Sequence, residues 1–130
     1  MTVAYVDASA LTKLVLAEPD SVAMRRWYVE SERVLCSRIG IVETRRAVTR
    51  RDHDPIHLDT IVASIEIIEF DASIARSAAI VRPIGLKTLD AVHLASALAI
   101  ADEVDAFVTY DLRLAEAARA AGFPVVMPAA

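Results

Sequence analysis

The chain has 130 residues, 55% of them apolar and 25% charged, with Gly and Pro sparse, a composition that fits one folded α/β domain over 1–130 and excludes disordered or repetitive architectures. A formal net charge of -4 and a pI near 5.3 exclude a protein that grips nucleic acid with its whole surface. No apolar run reaches the roughly 18 residues of a membrane span, because Asp90, His93 and the Asp102/Glu103 pair interrupt the longest one, and the lone Cys36 excludes an intrachain disulfide.

The opening "MTVAYVDAS" has no basic stretch, long apolar segment or cleavage site, so a cytoplasmic protein is expected. "VAYV" (Val3 to Val6) reads as a strand that stops at Asp7. A helix follows, with Ser9 as its cap, Leu11, Leu14 and Val15 at helical spacing, and Pro19 with Asp20 ending it. A second helix is predicted from Ser21 to Glu30 and a second strand from Val34 to Ser37, which would bury the Cys36 thiol. Helical periodicity resumes from Ile39 to Arg51, with Ile41, Val42 and Val48 on one side and the Arg pairs on the other.

Pro55 breaks that helix and starts a short one. "IEIIEF" (Ile65 to Phe70) is a strand, and Asp71 caps a helix through Val81. "RPIGLK" is a loop leading to "TLDAVHLASALAI", a nearly all-apolar helix with Thr88 as its N-cap. "AFVTY" (Ala106 to Tyr110) is the fourth strand, "DLRLAEAARAAG" a helix stopped by Gly122, and "PVVM" a short last strand. Strands alternating with helices predict a mostly parallel sheet of four to five strands covered on both faces, with ligands outside its carboxyl edge.

Most of the 18 acidic residues sit in polar or turn-forming stretches where a solvated acid needs no explanation. Asp7 in "YVDAS", Glu43 in "GIVETR", Asp90 in "TLDAVHLA" and Asp111 in "TYDLRL" have apolar surroundings. Each has a plainer role: Asp7 and Asp111 as helix caps, Glu43 paired with Arg46 or Arg50, and Asp90 stabilised by a helix N-terminus. In a parallel sheet, though, all four can face one edge. Four acids converging without a compensating Lys would repel one another, a strain that a cation in the gap relieves. Hard oxygen donors without a Cys or His cluster select Mg²⁺ or Mn²⁺, ions that act on phosphate esters by activating a water.

Eight of the 14 basic residues lie between Arg25 and Arg51, including Arg46 and Arg50, and a basic helix beside such a pocket would hold a phosphodiester backbone. A solvated helix face with salt bridges explains the same charges. His93, three residues after Asp90, reads either as a structural histidine or as a group near substrate and ligands. His53 and His57 have metal-like spacing that Pro55 spoils.

"YVDASALTKL", "VET" after a short strand, "LKTLDAVHLASAL" and "FVTYDLRLAEAA…GFPVVMP" together resemble the PIN-domain ribonucleases, specifically the VapC-type toxins of toxin–antitoxin pairs, in order from about Tyr5 to Pro128. The resemblance implies a PIN-like α/β fold and an endoribonuclease that cleaves RNA, such as tRNA or ribosomal RNA, with a metal-activated water. It also implies that Asp7, Glu43, Asp90 and Asp111 bind Mg²⁺ or Mn²⁺, with Ser9 and Thr109 flanking the pocket. A homodimer inhibited by a VapB-type antitoxin, whose C-terminal segment enters the site, is implied as well. Leu112, Arg113 and Leu114 follow Asp111 where some PIN nucleases carry a further acid, so a second metal would need the substrate to complete its site. Two other readings compete: a PIN-like RNA- or protein-binding module without activity, and a receiver-like phosphoacceptor. The latter lacks both a second acid beside Asp7 and a Lys beyond Lys87.

Overall fold

A computed structural model describes residues 2–130. Its elements run β1 (Val3–Val6), α1 (Ala8–Val15), α2 (Ser21–Glu30), β2 (Arg33–Ser37), α3 (Arg38–Thr49), α4 (Pro55–Ser64), β3 (Glu66–Ile68), α5 (Ala72–Ile80), α6 (Thr88–Leu98), β4 (Ala106–Val108), α7 (Leu112–Ala120) and β5 (Val125–Val126). The five strands form one sheet in the order β3-β2-β1-β4-β5. Every pairing is parallel, with Tyr5 opposite Leu35 on one side and Phe107 on the other. No helix among the described residues is long and apolar enough to cross a membrane.

Apolar runs without alternation predict strands buried on both faces, and β1 shows it: Ala4, Tyr5 and Val6 are each 0% exposed. Ala4, Val6, Val34 and Cys36 point to one face, where Leu11, Leu14, Met24, Ile41 and Ile61 cover them. Tyr5 and Phe107 point to the other, against Leu94, Ala97, Leu114 and Phe123. The Tyr5 and Phe107 rings stack at 5.1 Å between centroids. Truncating a core aromatic such as Phe107 to Ala costs about 3–5 kcal/mol.

The helix starts differ from expectation in two places. Asp7, not Ser9, caps α1, its carboxylate accepting from the Ala10 N–H. Lys87 occupies the cap position of α6 without a side-chain hydrogen bond, and Thr88 is already helical. Helix α1 also ends early, at Val15, because the Leu16 backbone turns extended, well before Pro19. Strand β3 keeps only Glu66–Ile68, since Ile65 ends α4 as a buried cap, and β4 stops at Val108. Asp54, Asp71 and Asp111 cap α4, α5 and α7 through their side chains. Gly122, at φ 100, follows α7, the left-handed conformation that glycine adopts without penalty.

From β1 the sheet grows outward in both directions, to β2 and β3 on one side and to β4 and β5 on the other. The carboxyl ends of β1 and β4 therefore flank the point where strand order reverses, the crevice in which doubly wound sheets bind ligands. Asp7 follows β1 directly, and the turn after β4 carries Thr109 and Asp111.

Candidate functional site

The site is built around the Asp7 carboxylate, which is 4% exposed. Its Oδ1 accepts from the Ser9 hydroxyl at 2.6 Å and from the Ala10 N–H at 3.1 Å. Its Oδ2 accepts from the Thr109 hydroxyl at 2.6 Å. Ser9 Oγ in turn accepts from the Tyr110 N–H at 2.9 Å, and Thr109 Oγ1 accepts from the Asp111 N–H at 3.0 Å. Two hydroxyls thus clamp the acid and tie β1 to the turn after β4, which is why that strand ends at Val108. Burial nevertheless dominates and pushes the Asp7 carboxyl up, the nearby His93 and these hydrogen bonds only partly offsetting it.

Asp90 lies in the first turn of α6 and is half-buried. Its carboxyl is also pushed up, first by burial, then by the charge of Asp111, with Asp7 and Glu43 adding to the effect and His93 opposing it. Asp90 therefore senses the other three sequence-selected acids. Asp111 is exposed, and its Oδ1 caps α7 by accepting from the Arg113 and Leu114 N–H groups at 2.9 and 3.0 Å. Glu43 points from α3 and accepts, through Oε1, a hydrogen bond from His93 Nε2 at 2.7 Å. Its expected partners Arg46 and Arg50 stand exposed on the same helix and make no ion pair among the described residues.

An open cleft of about 420 Å³ is lined by Lys87, Asp90, Asp111, Leu112 and Arg113. Another, of about 360 Å³, includes Ser9, Lys13, Glu43 and Tyr110. The expectation of acids without a nearby Lys thus needs correction, because Lys87 and Arg113 share a wall with Asp90 and Asp111. Their spacing, Lys87 one helical turn before Asp90 and Arg113 two residues after Asp111, could have shown it. Lys13 is occupied, donating to the Pro19 carbonyl at 2.9 Å and standing 4.6 Å from the Tyr110 ring centroid. A larger groove, about 960 Å³, runs between the residue 81–86 loop and α7 and contains none of the four acids.

His93 is 1% exposed and cannot touch substrate directly. Its Nδ1 lies 2.7 Å from the Tyr5 hydroxyl, a residue that sequence reasoning missed although a buried strand tyrosine must satisfy its hydroxyl. His53 and His57 stay apart from the acids: His53 Nδ1 contacts the Arg51 carbonyl and His57 Nε2 the Leu14 carbonyl. Half of the eight clustered arginines are tied to acids, namely Arg33, Arg38, Arg45 and Arg51. No three His, Cys, Asp or Glu side chains among the described residues close into a ready-made cage for an ion.

The PIN domain family matches residues 4–120. Ribonuclease VapC47 of Mycobacterium tuberculosis is 35% identical over 132 residues, covering 97% of this chain and 97% of that protein. Among solved structures, the Mycobacterium tuberculosis toxin VapC20, which cleaves the sarcin–ricin loop, superposes with a TM-score of 0.75 at 19% identity over 96% of this chain and 99% of the other. A toxin–antitoxin complex from Klebsiella pneumoniae gives a TM-score of 0.68 at 20% identity over 96% and 97% of the two chains.

Proposed function

The chain belongs to the PIN-domain family, in its VapC-type branch, and from that premise we propose that it is a divalent-metal-dependent endoribonuclease, the toxin of a toxin–antitoxin pair. One observation carries the reading beyond family membership: the Asp90 carboxyl is pushed up first by burial and then by the charge of Asp111, with Asp7 and Glu43 adding to it and His93 opposing it. A fold keeps such a cluster where a cation is to be held.

The donor set suits Mg²⁺ or Mn²⁺, since all four side chains offer hard oxygens. The lack of a closed cage is compatible with this, because Mg²⁺ keeps several waters and takes one or two carboxylates plus substrate phosphate oxygens. Asp7, Asp90 and Asp111 would hold the ion, with Glu43 beside them. A bound ion would supply an activated water for phosphodiester hydrolysis. The chain's own residues do the rest. Ser9 and Thr109 fix the buried Asp7 carboxylate, and the exposed Arg46 and Arg50 on α3 offer charge to the RNA backbone. Lys87 and Arg113, on the wall beside Asp90 and Asp111, would contact phosphate at the scissile position.

The VapC-type relatives and the toxin–antitoxin complex support a VapB-type antitoxin as partner. A basic side chain on it would meet the same acids. A homodimer belongs to the same proposal. Exposed apolar side chains occur both on α2, at Val22 and Val29, and around Ile80, Ile84, Leu89, Leu98 and Leu112.

The test is cleavage of end-labelled tRNA and ribosomal RNA by antitoxin-free protein in Mg²⁺ or Mn²⁺ against chelator, beside Asp90→Asn. Discrete metal-dependent fragments absent from the variant support the reading. A folded protein that binds RNA but cleaves none under any metal points instead to a binding module.

A further inference from the structure

Glu43 differs from the other three acids in its support. Asp7 is held by the Ser9 and Thr109 hydroxyls and the Ala10 N–H, Asp111 by the N–H groups of the helix that it caps, and Asp90 stands in a helix N-terminal turn. Glu43 sits mid-helix on α3, where a glutamate ordinarily keeps its rotamer freedom. Its restraint comes from a chain of buried groups on three other elements. The Ser37 N–H, at the end of β2, donates to the Tyr5 hydroxyl of β1 at 3.1 Å. That hydroxyl lies 2.7 Å from Nδ1 of His93 on α6, whose Nε2 lies 2.7 Å from Glu43 Oε1. Tyr5 and His93 are 0% and 1% exposed.

Proton counting orders this chain. A neutral imidazole completes this chain when the phenol, accepting from Ser37, gives its single proton to Nδ1 and the imidazole carries its own on Nε2 for Glu43. No buried side-chain nitrogen or oxygen among the described residues lacks a partner, in keeping with that assignment. Backbone shape supports the same contact. A Cβ at Gly40 would stand 2.8 Å from His93 Cε1 and run into Cys36 Sγ, so the absent side chain lets α3 close on the imidazole.

We infer that His93 is a positioning residue: held in its Nε2–H form by Tyr5, it anchors Oε1 of Glu43 and so fixes the orientation of that carboxylate beside the other acids. The inference rests on the metal-dependent reading above and deepens it. It makes one continuous frame of the site, because Tyr5 lies two residues before Asp7 and His93 one helical turn after Asp90. A shift at either strand or helix then moves three acids in concert.

The test is calorimetric Mn²⁺ binding to the metal-free full chain, for wild type, His93→Leu, His93→Gln, Glu43→Gln and the His93→Leu/Glu43→Gln double variant. Partners that orient a metal-bound carboxylate are worth about 10–100-fold in affinity, and His93→Leu should lose that much. Gln, whose amide N–H reaches near the Nε2 position, should recover most of it, and His93→Leu should add nothing once Glu43 is already Gln. Unchanged binding in His93→Leu, no rescue by Gln, or losses that multiply in the double variant would each overturn the inference. ¹⁵N NMR of the metal-free imidazole gives a readout without metal: the Nε2–H tautomer is expected, and an Nδ1–H tautomer is fatal. If His93→Leu fails to fold, Tyr5→Phe takes its place: a redistributed tautomer and weaker binding are expected, and the absence of both overturns the idea. A wild type that binds no Mn²⁺ sensitive to Asp90→Asn brings down the metal reading itself, and the positioning role with it.

Discussion

Two groups of carboxylates stand on this sheet, and their surroundings push them in opposite directions. On the outer side, Glu66 at β3 and Glu69 just beyond it are gripped by Arg33 and Arg38, the closest contacts being 2.7 and 2.6 Å, and both carboxyls are held below the usual range. In the crevice at the ends of β1 and β4, Asp7 and Asp90 are pushed above it, by burial first and, for Asp90, by other acids next. The outer pairs join neighbouring elements, since Arg33 of β2 also reaches Glu103 ahead of β4 at 3.2 Å. Asp7, Asp90 and Asp111 pair with no Lys or Arg among the described residues, and Asp7 and Asp111 are met instead by hydroxyls and backbone N–H groups. Carboxylates kept at a cost to the fold mark the place where function requires them.

The largest effect expected from breaking this contrast is on catalysis. Asp90→Asn keeps shape and removes one charge. With metal contributions to phosphoryl-type transition states worth several kcal/mol, cleavage should fall roughly 10²–10³-fold. End-labelled RNA cleavage measures it, and a loss under about threefold, below 1 kcal/mol or so, would remove Asp90 from the site. The same variant should be more thermostable than wild type without metal, because it relieves the repulsion from Asp111, Asp7 and Glu43. Added Mn²⁺ should then raise the wild-type melting temperature and leave the variant unmoved, closing or reversing the gap.

A smaller effect concerns the frame behind the crevice. Gly40→Ala forces a Cβ against His93 and Cys36, and overpacking of this kind costs about 1–3 kcal/mol, several degrees of Tm for a chain of this size. Glu66→Ala on the outer side carries no such packing penalty. Thermal melts of both variants check the difference, and a Gly40→Ala variant as stable as wild type would show that α3 shifts freely over α6.

The sequence made the crevice legible and its frame obscure for a physical reason. Asp7, Asp90 and Asp111 announce themselves because each acid interrupts or ends an apolar run, a local signal. A parallel sheet follows from alternation, so the convergence of their ends could be inferred before any coordinates. The link from His93 to Tyr5 spans 88 positions, and that from His93 to Glu43 spans 50, so no window of sequence contains either pair. The misplaced caps have another origin. Ser9 and Thr88 are good capping residues by type, but Asp7 precedes Ser9 and takes the cap, leaving the serine to hydrogen-bond the aspartate itself. At α6 an extended Lys87 makes the entry without any side-chain cap.

The smallest effect is the one that tests the sign of the contrast. The Arg33 hydrogen bond lowers the Glu66 carboxyl in the folded chain and outweighs the desolvation that opposes it. A folded value below the unfolded one, about 4.3 for a free Glu, means that the pair's contribution is complete above that pH and is lost as pH falls through the folded value. Both groups are solvent-exposed and screened, so the contribution is modest. Glu66→Gln should therefore melt slightly below wild type near neutral pH, and the two curves should merge as acidification passes below the usual carboxylate range. Asp90→Asn, measured alongside without metal, should lie on the other side of wild type at neutral pH. If both variants fall on the same side there, the crevice acids are as well compensated as the outer ones, and the argument that their charges await a cation loses its basis.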